Sequence, residues 1–143
     1  MGVYQMNEAI FEVPRQWEDR SVNVFSYHGT VPGNFAFVIT RDLMEDDQSE
    51  DTYIEAQLAQ LAKTLPQFRL LAQREVTVDH SFGLETEFTW ISNGLLMVQR
   101  QTYLFRGTNV IILTATASNR FTDENEYDLR IMMKSFRFTD ERY

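Results

Sequence analysis

The alternation of apolar and polar residues is the dominant pattern of this chain. Because successive side chains of a strand face opposite sides, such alternation predicts extended segments. Turn-forming residues separate several of them, at 29–34, at Asn93-Gly94 and at 107–109. The pattern predicts seven strands, at about residues 2–13, 21–28, 35–40, 71–79, 84–92, 96–106 and 109–117.

Two segments have the period of an α-helix instead. Apolar side chains recur every three or four residues over 54–65, and Pro66 marks the end of that helix. The acidic run at 45–51 suits its N-terminus, where carboxylates meet the positive end of the helix dipole. A second apolar stripe, over 129–136, follows a capping signature that begins at Thr122.

The order of these elements predicts the fold class. Most connections between strands are short, which favours antiparallel pairing. We therefore expect an α+β fold, with a predominantly antiparallel twisted sheet of about seven strands and two main helices. The length suits one domain, so we expect residues 1–143 to form a single domain.

Sorting the strand residues by parity predicts two unlike sheet faces. One set is bulky and apolar, and we expect both helices to pack on it. Its members are Phe25, Tyr27, Phe35, Phe37, Ile39, Phe88, Trp90, Ile111, Leu113, Ala115 and Ala117.

The other set is a mixture of aliphatic residues, threonines and amides, without the rows of lysine and glutamate that usually solvate a sheet. Its members are Val22, Val24, Ser26, Ala36, Val38, Thr40, Thr89, Ile91, Gln99, Gln101, Val110, Ile112, Thr114 and Thr116. Such a face suits an apolar helix or strand as a partner. Two other interpretations stay open: a loop covers it, or it is buried in a homodimer.

Charge and composition argue against several partners. The net charge is -8 and the pI is near 4.7, so the chain lacks the basic footprint that nucleic acids and anionic lipids require. No apolar run approaches the ~20 residues of a membrane span, and the N-terminus does not resemble a secretory signal. The absence of cysteine suits a reducing compartment. We expect a cytoplasmic protein without nucleic acid and without direct membrane insertion.

Signatures of catalysis and metal binding are missing from the sequence. Its two histidines, His28 and His80, lie beside predicted turns and in no metal-binding spacing. The run Asp79-His80-Ser81 cannot form a triad, because adjacent residues of an extended segment point apart. The acidic clusters lie at helix starts. We therefore expect no catalytic residue, no metal ligand and no cofactor, and predict that the chain is not an enzyme.

Several segments together resemble a known family. They are IFEVP with a following tryptophan (Ile10 to Pro14, Trp17), SVNVFSY, FAFVITRD ending at Asp42, the helix from Ile54 to Leu65, and MVQRQTYLF. The pattern resembles the PsbP-like α/β/α sandwich. Within that fold it resembles the DcrB-like proteins that include the Eag chaperones of bacterial type VI secretion, over nearly the whole chain.

This resemblance implies a specific function. Eag chaperones bind the N-terminal region of toxins that carry a PAAR domain, and shield the toxin's hydrophobic transmembrane helices before export. They promote loading of the toxin onto the VgrG spike, and act as cytoplasmic homodimers whose concave faces grip the helices. The resemblance therefore implies a toxin as client, VgrG in the assembled complex, and a homodimer.

The family's groove combines aliphatic residues on the early strands with glutamines that hydrogen-bond the bound helix. Together with the mixed face, the resemblance implies an effector-binding groove formed by Val22, Val24, Val38, Thr40, Gln57, Gln99, Gln101, Ile112 and Thr114. Whether Gln99 or Gln101 faces the groove stays open, since a bulge would exchange them. The alternatives are a generic protein- or ligand-binding PsbP-like domain without a role in secretion and, less favoured, an enzyme.

Overall fold

The N-terminal residues form a small hairpin of their own. The computed structural model describes residues 2–27 and 34–139. Strands β1 (Gly2–Gln5) and β2 (Ile10–Val13) pair antiparallel in a two-stranded sheet, apart from the main one. The prediction of one strand over 2–13 is therefore wrong. A tight turn, in which the Met6 N–H donates to the carbonyl of Ala9 (2.9 Å), reverses the chain in the middle of that segment.

The main sheet has six strands and is antiparallel at every pairing, as predicted. In spatial order the strands are β3-β4-β8-β7-β6-β5. Their bounds are β3 (Asn23–Ser26), β4 (Ala36–Leu43), β5 (Arg69–Val78), β6 (Ser81–Ser92), β7 (Leu95–Arg106) and β8 (Asn109–Ser118). Strands β5 to β8 form a continuous meander, and β8 pairs with β4, so that β3 and β5 are the two edges.

Two-residue turns set the register of the meander. Asn93 and Gly94 both have positive φ (50° and 82°), as the predicted hairpin between β6 and β7 requires. Asp79 and His80 form a similar turn between β5 and β6, with φ of 49° and 65°. The other histidine, His28, and most of the turn predicted at 29–34 lie outside the described residues.

Both helices begin at side-chain caps. Helix α1 (Glu50–Thr64) is capped by the Ser49 hydroxyl, which accepts from the N–H of Thr52 at 3.1 Å. Helix α2 (Asp123–Ser135) has the capping box that the sequence predicts: the Thr122 hydroxyl accepts from the Asn125 N–H, and the Asn125 amide oxygen accepts from the Thr122 N–H.

The two helices pack on opposite faces of the sheet, so the expectation that both cover one face is wrong. The cluster around α1 consists of Met44, Tyr53, Ile54, Leu58, Leu84, Tyr103, Phe105, Val110 and Ile112. The cluster around α2 includes Phe35, Phe37, Val98, Leu104, Leu113, Ala115, Phe121, Leu129, Met132 and Phe136. The chain therefore forms the α/β/α sandwich that the resemblance implies.

The prediction of which β6 side chains lie on each face of the sheet is wrong. The register pairs Phe88 with Gln99, which puts Phe88 and Trp90 on the α1 side rather than beneath α2. Phe88 is fully buried there, beside the ring of Phe68 at 5.1 Å. For the same reason Thr89 and Ile91 lie on the α2 side. Alternation within one strand does not show which side chains of the next strand share its face, because the turn between the two strands sets their register.

The other predicted core positions lie on the α2 side, but not all of them are buried. Phe37 and Leu113 are buried against the helix, as predicted. Phe25 faces the same way from the edge strand β3, yet 55% of its surface is exposed. An edge strand of four residues lies too far from α2 to be covered fully.

Candidate functional site

Strand pairing arranges the α1 side of the sheet in transverse rows. The central row consists of Gln73, Thr86, Gln101, Thr114, Val38 and Val24. On one side of it lies a row of Leu70, Phe88, Gln99, Thr116, Ala36 and Ser26, and on the other a row of Glu75, Leu84, Tyr103, Ile112 and Thr40. The rows bring residues from distant parts of the sequence onto one surface.

Helix α1 covers only part of this surface. Its residues Tyr53 and Ile54 pack over the row of Tyr103, and leave the other two rows uncovered towards the β3 edge. We call this uncovered area the open strip; it consists of Val24, Ser26, Ala36, Val38, Gln99, Gln101, Thr114 and Thr116. Val24 is 67% exposed, and the members on β7 and β8 are half-buried. None of the eight side chains is ionisable.

Two hydrogen-bonded chains cross the floor of the open strip. In the first, the Trp90 indole N–H donates to Gln99 Oε1 (2.7 Å), and Gln99 Nε2 donates to the Thr116 hydroxyl (3.0 Å). In the second, the Tyr103 hydroxyl donates to Gln101 Oε1, and Gln101 Nε2 donates to the Thr114 hydroxyl (3.3 Å). Each chain joins an aromatic donor, an amide and a threonine.

Both glutamines therefore face the same side of the sheet. Residues two apart in a strand share a face, and β7 pairs regularly along this stretch. The irregularity in the sheet lies elsewhere, in β5 between Leu70 and Ala72. The choice between Gln99 and Gln101 that the sequence leaves open does not arise.

The remaining residues predicted for the groove lie around the open strip. Thr40 and Ile112 are on the same face, in the row that α1 covers. Val22 precedes β3 and is 54% exposed. Gln57 is half-buried on α1, one helical turn after Tyr53. The structure thus gathers Val24, Val38, Gln99, Gln101 and Thr114 in the strip itself, with the other four beside it.

Trp90 and Tyr103 were not predicted as site residues. The sequence does contain a signal for the first of them. A two-residue turn at Asn93-Gly94 sets Ser92 opposite Leu95, and counting back from there puts Trp90 on the same face as Gln99. No comparable pattern in the sequence indicates that an aromatic side chain donates to each amide.

The tyrosines on this side are held in their neutral, hydrogen-donating form. Burial raises the pKa of Tyr103 well above its usual value, so its hydroxyl stays protonated. Burial also raises the pKa of Tyr53, together with the hydrogen bond that its hydroxyl donates to Asp42 Oδ2 at 2.7 Å. The site is therefore a neutral surface whose polar groups are amides and hydroxyls.

The opposite face carries an ion cluster and an apolar cleft. Arg100 binds Glu126 of α2 through two hydrogen bonds (2.8 and 3.0 Å), which raise the pKa of Arg100 and lower that of Glu126. A cleft of about 420 Å³ opens between the β3 edge and α2, and apolar side chains including Phe25 and Met132 line it.

Two features of the described residues concern metal binding and membrane insertion. No cluster of three or more histidine, cysteine or carboxylate side chains is arranged to hold a metal ion among residues 2–27 and 34–139. Neither helix within those ranges is long and apolar enough to cross a membrane.

Comparison with known proteins shows what this chain is similar to. The DcrB family profile matches residues 8–135. The chain is 30% identical over 119 residues to "Effector EagT6" of Pseudomonas aeruginosa strain PAO1. The aligned region covers 82% of this chain and 83% of that protein. A solved structure of PA94 from Pseudomonas aeruginosa, a protein of unknown function described as a putative regulator, is similar over 99% of both chains, with a TM-score of 0.85 and 26% identity.

More distant structures share only the fold. LpqN of Mycobacterium tuberculosis, involved in cell envelope biogenesis, has a TM-score of 0.56 at 15% identity and covers 84% of this chain and 85% of its own. The cyanobacterial PsbP of Synechocystis has a TM-score of 0.53 at 10% identity and covers 94% of this chain and 89% of its own. Both the PsbP-like fold and the resemblance to DcrB-like Eag proteins are thereby confirmed, and the chain belongs to the DcrB family.

Proposed function

We propose that this protein is a cytoplasmic, non-enzymatic chaperone of a type VI secretion effector. Its client is the N-terminal region of a PAAR-containing toxin, whose hydrophobic transmembrane helices it binds and shields. It then promotes loading of the toxin onto the VgrG spike. The relation to EagT6 supports the association with an effector, and the open strip supports the kind of segment that is bound.

The observation that carries this proposal is the composition of the open strip. Valines at its outer edge, Val24 and Val38, offer apolar area to a helix, while Gln99 and Gln101 offer hydrogen bonds at its centre. A transmembrane helix has both needs, because its surface is mainly apolar and its interfaces contain glycine, serine and threonine. A strip without ionisable groups also avoids the cost of burying a charge beneath a docked apolar helix.

Burial of apolar area supplies the driving force for shielding. A helix of ~20 apolar residues exposes enough surface in water to aggregate. Each Å² of apolar area removed from water contributes about 25 cal/mol. A helix laid on the open strip therefore gains stability from the valines, and the amides offset the desolvation of its polar atoms.

A homodimer forms part of this proposal, and the N-terminal hairpin supports it. Val3 and Ile10 are 76% and 65% exposed on one side of the hairpin. On its other side, Tyr4 Oη lies 2.7 Å from Ser21 Oγ, which ties the hairpin to the segment before β3. Because a two-stranded hairpin is only marginally stable alone, a second copy that covers Val3 and Ile10 would stabilise it. Light scattering should give about twice 16.8 kDa for the whole chain, and Ile10→Asp should shift the mass towards the monomer.

The test of client binding uses two neighbours on the same edge strand. Val24 lies in the open strip, and Phe25 points to the opposite face; both are more than half exposed. Val24→Asp places a carboxylate where the apolar helix docks, and should abolish co-purification of the toxin's N-terminal region. Phe25→Asp adds the same charge one residue away, and should retain it. Circular dichroism should show that both variants are folded.

Two results would contradict this function. If both folded variants retain the toxin fragment, the open strip does not bind it. If both variants lose the toxin fragment equally, the loss is caused by any added charge on the edge strand and does not locate the binding site on one face.

The apolar cleft beside α2 favours a second function, a ligand-binding PsbP-like domain without a role in secretion. Its volume of about 420 Å³ and its lining of Phe25, Phe37 and Met132 suit a small apolar ligand. Titration with a fluorescent fatty acid tests it: saturable binding that Met132→Lys abolishes supports this alternative, and no saturable binding excludes such a ligand.

A further inference from the structure

The cleft between the β3 edge and α2 has an aromatic and aliphatic lining with one charged group. Its buried lining includes Phe35 and Phe37, which are 9% and 7% exposed, whereas Phe25 and Met132 line it in a more exposed position. Among the described residues that line the cleft, Asp128 alone has a formal charge at neutral pH. The cleft therefore presents an apolar surface beside a single carboxylate.

Hydrogen bonds hold the Asp128 carboxylate at the wall of the cleft. The Tyr27 hydroxyl donates to Asp128 Oδ2 at 2.7 Å and accepts from Asn125 Nδ2 at 3.3 Å. Asn125 is fully buried and belongs to the capping box of α2. Burial raises the pKa of Tyr27, as do its bond to Asp128 and the negative charges of Asp128 and Glu124, so the hydroxyl stays a donor. The other carboxylate oxygen, Asp128 Oδ1, accepts no hydrogen bond from the described residues.

This combination suits an organic cation on an apolar stem. Aromatic rings attract an ammonium or guanidinium group through their π faces, and a carboxylate attracts it through its charge. The aliphatic stem of a lysine or arginine packs on apolar side chains, which Met132 and Phe37 supply here. An anionic group would instead meet like charges, those of Asp128 and of the nearby Glu124.

Exposed apolar side chains beside the cleft favour a protein segment as the source of this cation. Phe25 is 55% exposed at the β3 edge, and Ile131 is 51% exposed on α2. Ile131 follows Asp128 by three residues and precedes Ser135 by four, so the three side chains are neighbours on the helix surface. A protein segment can cover the cleft and its apolar surroundings together, as interfaces do around a central anchor.

We propose that the cleft is a second protein-binding site, which receives a lysine or arginine side chain from an apolar segment of a partner other than the shielded helix. Asp128 pairs with the cation, and the rings beside it hold the aliphatic stem. The cleft and the open strip lie on opposite faces of the sheet, so both can be occupied at once. The two sites are independent, and either proposal can fail without the other.

Three short peptides with blocked ends test this site. Each has two leucines around a central lysine, norleucine or glutamate; norleucine has an unbranched apolar stem without the charge. Nuclear magnetic resonance of the full chain, isotope-labelled at its methionine methyl groups, locates the binding, because Met132 lines the cleft and Met44 is buried on the α1 side. The lysine peptide should shift the Met132 signal alone, and bind about fivefold more tightly than the norleucine peptide. The glutamate peptide should bind most weakly.

Two variants of α2 separate the charge of the cleft from the charge of the helix. Asp128→Asn removes the carboxylate but keeps an oxygen that accepts from Tyr27. It should lower the affinity of the lysine peptide to that of the norleucine peptide, whose own affinity should not change. Asp123→Asn is the matched control, an exposed carboxylate in the first turn of the same helix, and should leave both affinities unchanged. Circular dichroism should show that both variants are folded.

Four results would overturn this proposal. Equal binding of the lysine and norleucine peptides to wild-type protein would mean that the cleft recognises no cation. Equal binding of butylammonium, the lysine side chain alone, would mean that it takes a small free cation rather than a protein segment. A fall in mass by light scattering when the lysine peptide is added would assign the cleft to a second copy of this chain. A shift of Met132 by the toxin's N-terminal region would assign it to the client.

Co-purification distinguishes this proposal from the proposed function. Asp128→Asn should retain the toxin's N-terminal region, because the substitution lies on the face opposite the open strip. Loss of the lysine preference with the toxin fragment retained supports two separate sites. Loss of the toxin fragment in the folded Asp128→Asn variant would contradict their independence.

Discussion

Two neighbouring residues of β4 provide a direct test of the two-faced sheet. Phe37 is buried beneath α2, with 7% of its surface exposed, whereas Val38 lies half-buried in the open strip. Replacing each in turn by aspartate introduces the same charge at the same strand. Because the two side chains point to opposite faces, we expect Phe37→Asp to unfold the chain and Val38→Asp to leave it folded.

The structure gives the size of this difference. Removing the ring of Phe37 costs about 3–5 kcal/mol, and an unpaired carboxylate in its place costs several kcal/mol more. The sum is comparable with the whole stability of a small domain, ~5–15 kcal/mol. Val38 lies between Val24 and Thr114 in the register and is open to solvent. Its replacement costs on the order of 1 kcal/mol, the range of strand propensities.

Thermal unfolding followed by circular dichroism measures both variants. Val38→Asp should lower the Tm by about 2–8 °C per kcal/mol lost, with the cooperative transition preserved. Phe37→Asp should show no cooperative transition. If Val38→Asp unfolds as well, the open strip is a closed core. If Phe37→Asp keeps a cooperative transition with a similar Tm, Phe37 does not contribute to the core as its burial indicates.

Three further changes test other parts of the fold. Gly83→Ala should reduce the free energy of unfolding by about 1–3 kcal/mol and so lower the urea midpoint, because a Cβ there would lie 2.8 Å from Leu104 Cδ2. An unchanged midpoint would contradict this packing. The hydrogen bonds from Arg100 lower the pKa of Glu126, so the ion pair stabilises the fold at neutral pH. This stabilisation is lost as the pH falls below about 4.3, the pKa of a glutamate in the unfolded chain. The difference in Tm between wild type and Glu126→Gln should therefore narrow from pH 7 to pH 3, and a constant difference would contradict it. Tyr27→Phe should cost about 1 kcal/mol in urea unfolding, since the Tyr27 hydroxyl donates to a carboxylate of α2 at 2.7 Å, and a neutral effect would argue against that bond.

The sequence predicts the central strands and both helix starts, because each has a local chemical cause. The Asn93-Gly94 turn, the acidic run before α1 and the capping box at Thr122 all act within a few residues. Where such signals are weak, the prediction fails. Residues 2–13 alternate only loosely, and the turn that divides them into β1 and β2 has no glycine or proline at its centre.

The candidate site could be predicted in part. Val24, Val38, Gln101 and Thr114 occupy one row, and their shared face follows from parity in each strand. The side on which α1 packs could not be deduced in this way. The chain from β4 to β5 crosses from one part of the sheet to its far edge, and the apolar pattern of the helix is compatible with either face.

Simple geometry explains why this fold leaves part of the α1 side of the sheet open. Helix α1 has 15 residues, so it is about 22 Å long and about 10 Å wide. Six strands, with neighbours about 4.8 Å apart, span about 24 Å between the outer ones, and the longer strands extend for more than about 30 Å. One helix covers about a third or less of such a face.

The residues of the uncovered area decide what it can do. On the α2 side, the area beside the helix is an apolar cleft, lined by side chains such as Phe25 and Met132. On the α1 side the open strip has valines, threonines and glutamines, whose polar atoms are already paired with one another in the absence of a partner. Such a surface can meet water without a large exposed apolar patch, and can still lose that water to an apolar helix, because no charge has to be buried. The same composition therefore suits both the free protein and the complex that we propose.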